Sequence, residues 1–247
     1  LFYRKDENTI GWREVEFSDF HWEITQFPED DKANKFEYKD RLRFPSRTED
    51  GAIGIDSYSN SQGGKKYGSK ACAWIGRRLN AFDEDNTGKV IGRLYGRPSV
   101  KDTLHEQVML AAEYYGYQAF YEHTADDYES YFRQRGKINY LGLYPLNLID
   151  PLKIESTERY RGTPITPYSL TKQHDLGISY FEHNCHKIDW IELLDVALQY
   201  DPYKRTEFDQ MTSFLITLAA IVDRPPIKPK MKQPLIREYA RAAAELQ

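Results

Sequence analysis

Three carboxylates stand where an acid is out of character with its surroundings. Asp56 closes the apolar run Ala52-Ile53-Gly54-Ile55, Glu122 closes Ala119-Phe120-Tyr121, and Asp209 stands at the start of the apolar stretch 208–222. β-Branched residues flanked by glycine favour a strand with close backbone neighbours, and Asp is a poor strand residue. If the first two runs are parallel neighbours, Asp56 and Glu122 leave the sheet at one edge. A helix over 208–222 packed on that sheet brings Asp209 to the same end. Such acids can hold hard divalent cations through oxygen. Two ions ~3.5–4 Å apart clamp the attacking and leaving oxygens of an in-line phosphoryl displacement. The plain structural alternative makes Asp56 a turn-former and Asp209 a helix-start residue favoured by the helix dipole. With 38 Asp and Glu in the chain, three at element ends would also arise by chance. Patterning leaves both readings open.

The elements that must position these acids follow from periodicity. Residues 52–55, 71–76 and 89–97 read as three strands, joined by connections too short for crossovers, hence an antiparallel meander. Leu104, Val108, Ala111, Ala112 and Tyr115 share one face of a helix over 99–116, with Ser99 as its cap and Gly116 as its end. That helix supplies the crossover to the strand ending at Glu122. A helix is expected over 126–135, stopped by Gly136, then a strand over 138–144, a loop over 150–175, and helices over 189–200 and 208–222. The fold class is therefore α/β, a mixed sheet flanked by helices. Residues 1–45 read as a connector or lid arm with a helix over 32–43. Residues 46–224 read as the main domain, and 225–247 as a Pro/Lys linker with a terminal helix.

Composition narrows the classes. A net charge of −4 does not advertise a polyanion ligand, so any nucleic-acid contact must rest on local basic patches. The densest basic run near Asp56 is Lys65, Lys66 and Lys70, with Arg77 and Arg78 beyond. It reads either as a solvated hairpin tip or as an arm on DNA phosphates. Arg133, Arg135 and Lys137, and the lysines at 228, 230 and 232, are weaker candidates for such contacts and read more readily as solvated faces. The stretch from Gly63 to Lys70 has its last two residues in the wrong order for a phosphate loop and precedes a strand, which argues against a nucleotide site. His174, His183, Cys185 and His186 match no closed zinc pattern. Two distant cysteines suggest a reducing compartment. No apolar run approaches ~18 residues, so no membrane span is expected. The start at Leu1 suggests an excised domain.

The order strand–strand–strand–helix–strand–helix–strand–helix, with acids at these ends, resembles the ribonuclease-H-like fold. More narrowly, it resembles the nuclease domain of tailed-phage terminase large subunits. Three stretches carry the likeness: Ile53-Gly54-Ile55-Asp56-Ser57, Ala119-Phe120-Tyr121-Glu122-His123-Thr124, and Phe208-Asp209-Gln210-Met211-Thr212-Ser213-Phe214-Leu215. The segment from Arg161 to Lys172 looks like the loop region before that family's later helices. The resemblance implies an endodeoxyribonuclease in which Asp56, Glu122 and Asp209 hold two Mg²⁺ or Mn²⁺ ions and cut concatemeric double-stranded viral DNA. It also implies partners (an ATPase domain absent from this chain, a portal and a small terminase subunit), a monomer in isolation, and work in the host cytoplasm. Where the family often has Asn and Gly after the second acid, Thr124-Ala125-Asp126-Asp127 stand here, so Asp126 and Asp127 are rival ligands. Glu207 beside Phe208 leaves a further ligand open. A docking module without catalysis and a junction-resolvase-type nuclease are the alternatives.

Overall fold

The computed structural model describes residues 1–16, 19–58, 70–78, 87–122, 127–151 and 160–223. In chain order its strands are β1 (Phe2–Arg4), β2 (Ile10–Trp12), β3 (Phe20–Ile24), β4 (Phe36–Lys39), β5 (Leu42–Pro45), β6 (Gly51–Asp56), β7 (Ala71–Arg77), β8 (Val90–Gly96) and β9 (Gln118–Tyr121). The helices are α1 (Lys101–Tyr115), between β8 and β9, then α2 (Tyr128–Gln134), α3 (Pro167–Asn184), α4 (Ile191–Gln199) and α5 (Asp209–Val222). The main sheet has the order β3-β8-β7-β6-β9. β6, β7 and β8 form the expected antiparallel meander. β9 lies parallel to β6, with α1 as the crossover between the meander and β9.

Burial of the sheet on both faces explains its apolar runs. In β7, Ala71, Ala73 and Ile75 join the core under α1, while Cys72 and Trp74 join the core under α3, α4 and α5. Successive side chains on a strand point to opposite faces, so a sheet covered twice reads as continuous apolar sequence. Gly54 and Gly76 are the places where α5 comes closest. A Cβ on Gly54 would stand 2.3 Å from Thr217 Oγ1 and 2.7 Å from the Ser213 carbonyl. Gly116 ends α1 in the left-handed conformation at φ 69°, as expected.

Several expectations are corrected. Residues 32–43 are not a helix: Phe36–Lys39 and Leu42–Pro45 form a hairpin, turned by Asp40 and Arg41 at φ 50° and 64°. Two left-handed residues in a row suit the twist of a tight hairpin. The arm is not a separate lid. Its β3 pairs with β8 as the sheet's edge, and Phe2, Ile10, Phe20 and Trp22 enter the core beneath α1. Ser99 does not cap α1, whose N-cap is Val100 without a side-chain bond. The strand expected over 138–144 is a 3-10 turn, Ile138–Tyr140, followed by single bridges from Leu141 to Ala119 and from Leu143 to Arg161. The loop expected over 150–175 gives way to α3, held at its start by a reciprocal capping box between Thr166 and Ser169 with Pro167 at the first position. The tail 224–247 lies outside the described residues. Among the described residues no helix is long and apolar enough to cross a membrane.

Candidate active site

The register of two parallel strands sets the first two acids side by side. Ile55 of β6 pairs with Tyr121 of β9, so Asp56 and Glu122 are the next residues on each strand and leave the sheet together. Glu122 is held by a parallel bridge to Thr163, whose N–H and hydroxyl both donate to the Tyr121 carbonyl at 2.5 and 3.0 Å.

α5 brings the third acid. It crosses β6 and β7 with Ser213 and Thr217 against Gly54, and Thr217 and Ile221 against Gly76. Gly76 pairs with Ala52 and Cys72 with Asp56, so the helix runs towards the start of β6 as it goes on, and its first turn lies at the Asp56 end. Trp74 Nε1 donates to the Gln210 carbonyl at 2.9 Å and fixes that first turn. Asp209 accepts the backbone N–H of Lys70 at 2.8 Å. A carboxylate in the first turn is favoured by the helix dipole.

Two neighbouring groups report how near the acids lie. Burial pushes the Cys72 thiol far above its ordinary value; a Ser213 hydrogen bond and Arg93 oppose this, and the charges of Asp56 and Asp209 add to it. Burial alone would lower the pKa of Arg205, but a hydrogen bond to Glu122 and the charges of Glu122 and Asp56 outweigh it and hold the guanidinium above its ordinary value. Arg205 forms an ion pair with Glu122 in which the two side chains are 17% and 14% exposed. Sequence reasoning missed Arg205: it lies in the polar 3-10 segment Pro202–Glu207, and nothing in its neighbours distinguishes it.

The remaining candidates scatter. Asp126, Lys65 and Lys66 lie outside the described residues. Asp127 is exposed at the N-cap of α2, and Glu207 is exposed where the 3-10 segment ends. Lys70 sits at the site, its ammonium 4.8 Å from the Tyr95 ring centre. Arg77 and Arg78 do not. β7 carries them away from Asp56, Arg77 pairs with Gly51 at the opposite end of the sheet, and Arg78 is 4% exposed with its guanidinium on the Glu49 carbonyl. A buried side chain at the wrong end cannot contact DNA beside Asp56. His183 bonds the Ser179 carbonyl of its own helix.

Asp56, Glu122 and Asp209 thus share one sheet edge, with Arg205 on Glu122. Among the described residues, no three His, Cys, Asp or Glu stand ready-made around a cation. Chemically, the three acids suit a hard divalent ion better than any softer metal, and Arg205 on one Glu122 oxygen competes with a cation for that carboxylate. Compared with known protein families, curated proteins and solved structures, the chain matches none.

Proposed function

We propose that the chain is a metal-dependent endonuclease domain of ribonuclease-H-like fold that cuts double-stranded DNA, similar to the nuclease domain of a phage terminase. The observation that carries this reading is the convergence of Asp56, Glu122 and Asp209 at one sheet edge, through a parallel strand register and an antiparallel helix. The element order also agrees with the resemblance, a three-stranded meander followed by a crossover helix and a parallel strand. Asp56, Asp209 and Glu122 would hold Mg²⁺ or Mn²⁺, with Arg205 competing for Glu122. Ions held there would supply an activated water and stabilisation of the leaving 3′ oxygen. On this reading the ATPase domain, portal and small terminase subunit are the partners, acting in the host cytoplasm.

The Arg205–Glu122 pair favours a second reading, a module that docks on DNA without cutting it, because that pair already neutralises one acid. One experiment separates the two: nicking of supercoiled plasmid in Mn²⁺, Mg²⁺ or EDTA by the wild type, Asp56→Asn and Asp209→Asn. The nuclease reading expects nicking that EDTA abolishes and that falls in either variant by more than the roughly 10- to 100-fold typical of losing a group that merely orients a metal ligand. Nicking unaffected by both substitutions, or none by folded wild type under either metal, refutes it.

A further inference from the structure

A second charged feature lies away from the carboxylate edge. The β1–β2 ribbon, the β4–β5 hairpin, α1 and the turn after α2 enclose a cleft of about 510 Å³. Arg4, Arg41, Arg43, Arg135 and Lys137 line it, against the carboxylates of Glu7 and Glu106. Beneath them Glu113 of α1 is fully buried and takes ion pairs from Arg4, from Arg43 at 3.4 Å and from Lys137 at 2.5 Å. Five cations therefore face three carboxylates. Glu113 explains part of this set and Glu106 takes Arg135 at 3.5 Å, which leaves an excess of positive charge that suits an anion.

The cleft is preorganised. The Arg43 guanidinium stacks 3.7 Å from the Phe36 ring centre and donates to the Tyr140 hydroxyl, the Glu7 carbonyl and the Asn8 side chain at 3.2, 3.2 and 3.3 Å. Arg43, buried with its Nη2 beside Glu113, fixes the floor of the cleft, and the exposed Arg41 and Arg135 are the guanidiniums that can reach an oxyanion. Beside it, at the hairpin tip, Tyr38 is 62% exposed and Leu42 53% exposed, flanking Arg41. An exposed ring next to arginines is what stacking of a base beside its phosphate requires. The cleft opens on the α1 side, near the end of the sheet opposite Asp56. Gln118, opposite Ala52, bonds the Asn139 carbonyl, and Asn139 bonds the Arg43 carbonyl.

We propose that this cleft binds the phosphates of a nucleic-acid strand, as a contact separate from the carboxylate edge. The inference does not depend on the chain being a nuclease. Its test is fluorescence anisotropy with a labelled 20-nucleotide single strand and its duplex, in EDTA, across a salt series. The wild type is compared with Arg41→Glu/Arg135→Glu and with Lys172→Glu on the exposed side of α3. Both cleft residues are exposed and make no bond to Arg43, Lys137 or Glu113; Arg135→Glu removes the 3.5 Å pair with Glu106, so an unchanged melting temperature of the double variant is required beside its affinity. The expected result is a tenfold or greater weakening in the double variant, with a salt slope shallower by about 1.4 on the single strand for two lost contacts, and less than twofold weakening in Lys172→Glu. Equal affinity of the double variant and the wild type overturns the proposal, as does equal weakening by Lys172→Glu. Absence of strand binding, with inorganic phosphate raising the melting temperature of the wild type and not of the double variant, assigns the cleft to a free phosphate and overturns the nucleic-acid assignment.

Discussion

Arg205→Ala is the perturbation that asks most of the carboxylate site. Among the described residues its guanidinium is the cation set on Glu122, with Asp56 close enough to raise its pKa. Deleting one partner of a largely buried pair costs about 3–5 kcal/mol, because the other charge stays buried unmatched. At 17% and 14% exposure the pair belongs near the lower figure. In a domain of this length each kcal/mol moves the melting point by about 2–4 °C, so Arg205→Ala in EDTA should melt about 6–12 °C below the wild type. Divalent metal then reverses the order of response. A ligand at a hundredfold over its Kd adds about 2.7 kcal/mol, worth about 5–11 °C here. On the proposed reading the variant should gain that shift from Mn²⁺, while the wild type gains less because the Arg205 charge competes with the cation for Glu122. Calorimetric melts of both proteins in Mn²⁺ and in EDTA, with Arg205→Ala/Glu122→Gln to remove the uncompensated charge, measure each quantity. Equal Mn²⁺ shifts in wild type and Arg205→Ala would refute the reasoning and leave the pair as a structural ion pair only.

Three further outcomes test the frame around the site. Gly54→Ala should cost about 3 kcal/mol by thermal melting, since the new methyl meets Thr217 Oγ1 at 2.3 Å and its backbone nitrogen at 2.4 Å, and backbone cannot step aside; a change under 0.5 kcal/mol would contradict that packing. At Glu23 burial pushes the carboxyl up, but hydrogen bonds from Arg93 and Trp190 and the Arg93 charge outweigh it, so its pKa lies below the ordinary 4.5. A depressed folded pKa stabilises above the unfolded value and is lost as pH falls. The advantage of wild type over Glu23→Gln should thus be full above about pH 5 and shrink below it in melts across pH; an advantage that grows on acidification would reverse the sign. Of the two thiols, exposed Cys185 should react with a disulfide reagent in the native protein and buried Cys72 only on unfolding, so two fast thiols would place Cys72 elsewhere.

What the sequence makes legible follows from which interactions are local. The β6–β8 meander, the α1 crossover and β9 announce themselves because each is an uninterrupted apolar run or a single helical face, closed by a residue with a stated backbone role such as Gly116. The β4–β5 hairpin hides because its turn uses Asp40 and Arg41 instead of glycine. α3 hides because it starts in turn-forming residues, although the Thr166-Pro167-Tyr168-Ser169 cap was there to be read. Trp22–Ile24 reads as a short strand and is part of β3, but no local pattern says that it pairs with β8 at the sheet's edge.

The same distinction separates the acids from their counter-charges. Asp56 and Glu122 could be found because register has a period of two and a parallel pair carries both strand ends to one side; a slip of one residue would turn every buried side chain of β6 to the other face. Basic residues obey no such constraint. Arg77 looked close to Asp56 in sequence, yet β7 rises about 3.3 Å per residue and carries it about 17 Å from Cys72, the partner of Asp56. Arg205 is 83 residues from Glu122 and joins it only because the 3-10 segment delivers α5 to the strand ends. The net charge at the strand ends is therefore a property of the folded chain alone: Arg205 offsets one of the acids there, and no stretch of the sequence says so.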